Sequence, residues 1–313
     1  MSNISVVFSF DENYVMPTLV AALSLLDSSL KEGKGGRYSL FFLTEKALAP
    51  SVMNEYEKYL VSYSNCSFVK FVVANGTQKD AFESRHLTRA TYLRLEIPEL
   101  IDLDKVIYSD IDVLFLSGLE SLWDVCVDDV YLAATLDVGL NQTDKFNRRR
   151  IRFDYWQEYY NDRLGSYYQA GILLMNLKLM RETEIVKTWR RLSREKFNYH
   201  DMDIINITCY PKIRKISSRY NVIPGFFVEN SYEKGANEGF LDGLEVREVH
   251  ERPVMVHYAG EAKPWKHPSV PGSCEYWEFL RKFPDLEEKM KKMHPWSFCD
   301  KIRHFFCKPL FDR

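Results

Sequence analysis

Tyr108-Ser109-Asp110-Ile111-Asp112-Val113-Leu114-Phe115-Leu116 sets two acids inside an otherwise apolar run. In a strand, side chains alternate faces, so Asp110 and Asp112 point the same way while Ile111 and Val113 turn into packing. The two carboxylates then share one small space, where each raises the other's pKa unless a cation stands between them. A divalent metal answers that repulsion. The competing reading is a strand end turning into solvent, where Asp is common. Asp-x-Asp alone does not separate the two; a third ligand and a substrate site elsewhere in the chain would.

Working back toward the N-terminus, Ile4 to Phe10 reads as a buried strand and is followed at once by Asp11-Glu12-Asn13-Tyr14. A helix then carries Leu19, Ala22, Leu23, Leu26 and Leu30 at helical spacing. Strand, polar turn and helix is how open α/β sheets present ligand-binding groups at the carboxyl ends of their strands, although Asp11 and Asn13 could equally serve as helix caps. A strand from Tyr38 to Thr44, a helix from Ser51 to Ser64 and a strand from Phe68 to Val73 complete a β-α-β-α-β series, which argues for a mostly parallel sheet with helices on its faces. The dinucleotide and P-loop glycine fingerprints are both missing from these turns. His86 to Leu95 has a helical pattern and sets Arg85, Arg89 and Arg94 ahead of the acidic run.

Working forward, Tyr131 to Leu136 is a strand ending on Asp137. A polar, aromatic stretch follows from Val138 to Tyr160. It contains Asn147-Arg148-Arg149-Arg150, then Phe153, Tyr155, Trp156, Tyr159 and Tyr160, and reads first as a lid or acceptor wall. Tyr167-Tyr168-Gln169-Ala170-Gly171 opens a buried strand through Ile172 to Leu177, with small residues where something approaches the backbone closely. A helix from Leu179 to Phe197 follows, and then His200-Asp201-Met202-Asp203, in which Asp201 could be an N-cap. Late strands at Ile213 to Ser217 and Val254 to His257 lead into His257-Tyr258-Ala259-Gly260-Glu261-Ala262-Lys263-Pro264-Trp265. That loop offers a borderline metal ligand, a backbone N–H and a cation for phosphate at short spacing.

At 313 residues with 46% hydrophobic content the chain can bury a sizeable core. Its formal net charge of −2 gives no general case for nucleic acid, and no nucleic-acid fold signature accompanies the basic cluster. Six scattered cysteines without a Cys-x-x-Cys pair fit reduced thiols in a cytosolic protein. Neither a signal peptide nor a membrane-spanning run is expected. From Leu280 to Arg313 nine Lys or Arg stand against five Asp or Glu, a local charge of +4. There Cys299, Ile302, Phe306 and Leu310 recur at three- and four-residue spacing with Lys301, Arg303 and Lys308 between them. Such a segment can lie on an anionic membrane surface, the favoured reading, or dock on the chain's own core or on a partner.

Four stretches together resemble retaining glycosyltransferase family 8: Phe10 to Tyr14, Asp110-Ile111-Asp112, Gln169 to Asn176 and His257 to Trp265. Within it the chain is similar to bacterial lipooligosaccharide and lipopolysaccharide α-galactosyl- and α-glucosyltransferases, over about residues 3 to 270. The resemblance implies an α/β GT-A fold at 1–270, with a mostly parallel central sheet flanked by helices; beyond it, the residues at 271–313 read as a helical, basic and aromatic extension. It also implies a UDP-galactose or UDP-glucose donor with Mn2+, or Mg2+ in its place, held by Asp110, Asp112 and His257. Lys263 and the Gly260 N–H fall on the diphosphate, and Asp11, Asn13 and the Asp110-Ile111-Asp112 segment on the nucleoside. Arg94, in Tyr92-Leu93-Arg94-Leu95, reaches the donor sugar, and Asp137, Gln169 and Asp201 its hydroxyls. Two departures matter: Gln169 stands where the galactosyltransferases commonly carry Asn, and Met202 where many carry Gln.

The expected activity is transfer of a hexose, with retention, to a lipopolysaccharide or lipooligosaccharide glycan, by a cytoplasmic protein that sits peripherally on the inner face of the cell membrane. A transferase acting on a protein or polysaccharide primer is the alternative enzyme. A non-catalytic nucleotide-sugar-binding protein is the alternative class, and intact Asp110, Asp112, His257 and Lys263 speak against it.

Overall fold

The chain is described here by a computed structural model covering residues 3–33, 35–76, 80–82, 89–143, 166–305 and 307–311. Among the described residues, apolar and β-branched runs form nine strands: β1 (Asn3–Ser9), β2 (Arg37–Thr44), β3 (Cys66–Val73), β4 (Lys105–Ser109), β5 (Val113–Phe115), β6 (Leu132–Leu136), β7 (Tyr168–Asn176), β8 (Ile213–Ile216) and β9 (Met255–His257). Seven of them make one sheet in the order β3-β2-β1-β4-β7-β6-β8, and β5 pairs with β9 in a second. In the large sheet β7 alone runs against its neighbours. The fold class is α/β with a mostly parallel sheet flanked by helices, as the resemblance implies.

The central strands are apolar on both faces because both faces are covered. Val6 and Phe8 of β1, Ile107 of β4 and Ile172 and Leu174 of β7 enter the core that the helix Val15–Glu32 shares. Val7, Val106, Tyr108, Leu173 and Met175, one residue out of phase, enter the opposite core with the helices Ile185–Leu192 and His200–Cys209. This is the two-residue alternation of a strand.

The acidic run is not one strand. β4 stops at Ser109, Asp110 to Asp112 form a bend, and β5 leaves for the second sheet. The Asp110 N–H donates to Gly171 O of β7 at 2.9 Å, and Asp112 O accepts from Tyr258 N beyond β9 at 2.9 Å. The bend therefore has a backbone partner in each sheet, which a continuous strand could not have. β5 pairs antiparallel with β9, Val113 opposite His257.

Three further expectations change. His86 to Leu95 was expected as a helix; the described part is a 3-10 segment, Arg89–Glu96, and Arg85 lies outside the described residues. The helix over Leu179 to Phe197 is two helices, Leu177–Glu182 and Ile185–Leu192, separated at Glu184, whose φ of 52° is left-handed. Asp201 lies in the first turn of its helix rather than at the N-cap, which is Tyr199. The basic and aromatic cluster from Asn147 to Tyr160 lies outside the described residues.

The C-terminal helices Ser273–Leu280 and Pro284–Met293, with Pro284 in the first turn of the second, contribute Tyr276, Trp277, Leu280, Leu286 and Met290 to the same core as Trp265 and Tyr258. Phe311 returns to that core, and Glu275 accepts the N–H groups of Leu310 and Phe311 at 2.5 and 3.3 Å. The helix Phe298–Phe305 between them leaves Phe298 77% and Ile302 44% exposed. Among the described residues no helix is long and apolar enough to cross a membrane.

The 3-10 segment that carries Tyr92 and Arg94 ends on Glu96, whose buried carboxylate takes both Nε (2.9 Å) and Nη2 of Arg190. Removing one partner of such a pair strands a charge in the interior. Arg190→Ala is expected to lower unfolding stability by about 2 to 3 kcal/mol, discounted because Arg190 is itself one-third exposed. Adding Glu96→Gln should recover part of the loss in urea titrations; no recovery would mean that the pair is not what is lost.

Candidate active site

The bend between the sheets turns Asp110 and Asp112 toward His257, and ligand atoms of the three lie within 4.8 Å of one another. Each carboxylate is held by its outer oxygen. Asp110 Oδ1 accepts from Arg94 Nη2 and from Tyr108 Oη, both at 2.7 Å. Asp112 Oδ2 takes the Lys263 ammonium, which also donates to Tyr258 O at 2.8 Å. The inner oxygens, Asp110 Oδ2 and Asp112 Oδ1, stand 3.6 and 3.4 Å from His257 Nε2, longer than a hydrogen bond. Two carboxylate oxygens and an imidazole nitrogen thus converge, a donor set that suits a Mn2+-type ion. Burial pushes the Asp112 carboxyl up, but the pull led by the Lys263 ammonium outweighs it and holds it well below the usual range. Asp112 is therefore ionised.

Arg94 is the hub on the other side of the bend. Its guanidinium lies over the Tyr108 ring at 4.5 Å and donates to Ala170 O at 2.7 Å, while Nε pairs with Asp201 Oδ2 at 2.9 Å. Burial alone would lower the Arg94 pKa; Asp110 and Asp201 more than reverse that and keep the charge in place. Burial pushes the Asp201 carboxyl up to about 7 against the pull of Arg94, and Asp110 adds to the rise. At the end of β6, Asp137 Oδ2 accepts from Gln169 Nε2 at 2.5 Å and Oδ1 accepts from Leu140 N at 2.6 Å.

Asp110, Asp112, His257, Lys263, Arg94 and Asp201 are thus joined in one network, and Gln169 and Asp137 form a pair next to it along β7. Asp11 caps the 3-10 turn Glu12–Tyr14 by accepting from Asn13 N at 2.9 Å, so the capping reading describes that contact. The Tyr14 phenol, whose pKa burial raises, nevertheless feels Lys263, Asp112 and Asp11 together, which puts this turn beside the acids. Asn13 and Gly260 are exposed, and Gly260 has a left-handed φ of 88° with open space around it. Ile111 packs against the core, and half-buried Met202 packs against Tyr167.

The close approach expected at the start of β7 is His257: a Cβ on Gly171 would stand 2.5 Å from Nδ1. Two residues not singled out from the sequence complete the site. Tyr108 supports Asp110, and Asn221 Oδ1 meets His257 Nδ1 at 2.8 Å. Tyr108 stands two residues before Asp110 in the sequence, the spacing of one strand face, a signal that was available; Asn221 precedes its partner by 36 residues and carried none.

Gly171→Ala is expected to displace the imidazole and cost about 1 to 3 kcal/mol by overpacking, read as a lower Tm. An unchanged Tm would mean that the imidazole yields at no cost. Asp201 tests the electrostatics. Its folded-state value of about 7 lies above the ordinary 3.8, so the folded protein holds that proton more tightly than the unfolded chain. Its contribution to stability is full below about pH 4 and is lost as pH rises through about 7. The unfolding free energy of the wild type minus that of Asp201→Asn should therefore fall between those limits and level off above them; a rise would contradict the assignment.

The family model for glycosyl transferase family 8 matches residues 5–268. The lipopolysaccharide 1,2-glucosyltransferase of Escherichia coli is 23% identical over 87% of this chain and 76% of its own. The lipopolysaccharide 1,3-galactosyltransferase of Salmonella typhimurium is 21% identical over 94% of this chain and 80% of its own. A solved GT-A structure, that of an active-site mutant of LgtC, superposes with a TM-score of 0.71 at 25% identity, covering 89% of this chain and 96% of that one. The matched span takes in the acidic bend, the strand that passes it and the loop carrying His257 and Lys263, and this chain belongs to glycosyl transferase family 8.

Proposed function

We propose that this chain is a retaining hexosyltransferase that moves galactose or glucose from a UDP-sugar to a glycan of the lipopolysaccharide or lipooligosaccharide type, with Mn2+ or Mg2+ held by Asp110, Asp112 and His257. The observation that carries the reading is the set of inner oxygens and Nε2 converging in a family-8 fold while Arg94 and Lys263 clamp the outer oxygens. The bound metal supplies Lewis-acid compensation for the charge that grows on the departing diphosphate.

The chain's own residues do the rest. Lys263, with the Gly260 N–H, adds a cation and a donor for the diphosphate. Asp11 and Asn13 border the nucleoside end. Arg94, Asp201 and the Gln169–Asp137 pair present donors and acceptors to the sugar hydroxyls. Leaving one such buried group unmatched costs about 1 to 3 kcal/mol, enough to distinguish epimers. Methionine forms no glycosyl ester, so a Met202 beside the reacting carbon cannot act as nucleophile. The reading adopted is same-face substitution: the bond from C1 to the diphosphate oxygen breaks, the bond from C1 to the acceptor oxygen forms on that face, and the acceptor proton passes to the departing oxygen.

The exposed Phe298 and Ile302, set among exposed Lys301 and Arg303, support a peripheral contact with an anionic membrane, and thus a place at the inner face of the cell membrane.

A panel of UDP-sugars assayed for hydrolysis with Mn2+ and with chelator tests the activity. Turnover should be confined to UDP-glucose or UDP-galactose, vanish on chelation and fall roughly 100-fold in Asp112→Asn; turnover that survives chelation would overturn the metal assignment. Phe298→Asp with Ile302→Asp, which spares the core residue Phe311, should abolish sedimentation with phosphatidylglycerol vesicles. Sedimentation equal to wild type would remove the tail from the membrane contact.

A further inference from the structure

We infer that Asn221 is a positioning residue for metal binding: it fixes the His257 tautomer so that the Nε2 lone pair faces Asp110 and Asp112. The inference rests on the metal reading above and deepens it.

A ligating imidazole must keep its proton on the other nitrogen, and an acceptor there sets which one carries it. Asn221 Oδ1 lies 2.8 Å from Nδ1, and both residues are buried. An amide oxygen only accepts, so Nδ1 is the N–H, and the neutral ring that a cation needs then turns its bare Nε2 toward the inner carboxylate oxygens at 3.4 and 3.6 Å. Had the ring carried its proton on Nε2, it would point that hydrogen at the two acids and close the site to a cation.

The backbone keeps the two side chains in register. Val222, next to Asn221, donates to Met255 O at 2.9 Å, and His257 donates to Val222 O at 2.8 Å. Residues 221 and 257 are thus fixed across one short ladder. The amide is oriented from the far side, where Nδ2 reaches Thr135 Oγ1 of β6 at 3.4 Å. Gly171 of β7 supplies the room: a Cβ there would come within 2.5 Å of Nδ1 and 3.1 Å of Asn221 Oδ1. Three strands of two sheets therefore leave one slot, and the Asn221–His257 contact fills it.

Two variants separate orientation from packing. Asn221→Leu keeps the branched four-atom shape and removes the acceptor; Asn221→Asp keeps an acceptor. Mn2+ binding is read by electron paramagnetic resonance without donor sugar, and the His257 tautomer by nitrogen-15 NMR of the metal-free protein. Wild type should show Nδ1–H. Asn221→Leu should shift the population toward Nε2–H and bind Mn2+ about 10- to 100-fold more weakly, while Asn221→Asp should retain both properties. A wild-type ring protonated on Nε2, or an Asn221→Leu protein that binds Mn2+ as the wild type does, overturns the inference. A wild type that takes up no Mn2+ while showing Nδ1–H sinks the metal reading instead, and the tautomer shift in Asn221→Leu then decides the role of Asn221 alone.

Discussion

The site depends on a three-residue bend hydrogen-bonded to two sheets at once. The amide of Asp110 reaches Gly171 O in the large sheet, and the carbonyl of Asp112 receives Tyr258 N beside the small one. With both ends fixed, the two side chains have little choice but to face the gap between the sheets. The Val113–His257 register then sets the histidine opposite the residue that follows the second acid. A slip of one residue would turn His257 to the other face of its strand.

Burying three carboxylates at such a place demands compensation, because an unpaired buried charge costs several kcal/mol. Arg94 serves Asp110 and Asp201 together, and Lys263 serves Asp112. Arginine suits its post: a planar fork divides its donors among two carboxylates and two carbonyls while its face lies on Tyr108. Both clamps take the outer oxygens, so compensation for burial does not consume the donors that converge with His257. One negative charge stays unmatched when Asp201 is ionised, a field that attracts a cation.

The sequence was most legible where a local pattern maps onto a local shape. The β-α-β-α-β series, the buried strands and the close approach at Gly171 all follow from periodicity and side-chain size. The acidic pair was legible in effect and not in cause. Alternation along one strand predicted a shared space for Asp110 and Asp112, and they do share it, but through a bend between sheets that apolar Val113 to Phe115 disguised as more of the same strand. The break at Glu184 was hidden for a related reason, since helical spacing of apolar residues resumes beyond it. Asn221 was illegible because its role comes only from tertiary pairing with β9.

The antiparallel strand explains why the site takes this form. In an open parallel sheet, ligands meet the carboxyl ends of strands, and β1, β4 and β6 deliver Asp11, Asp110 and Asp137 in that way. β7 runs the other way, with Ser109 opposite Ile172, so its first residues lie beside the last of β4 and β6. Gln169 thereby reaches Asp137, the Ala170 carbonyl reaches Arg94 and Gly171 makes room for His257. A parallel strand in that slot would offer its carboxyl end, here Met175-Asn176 leading straight into a helix. Reversal of one strand places a small-residue segment at the centre of the sheet's edge, and that segment lets the second sheet bring its histidine against the acids of the first.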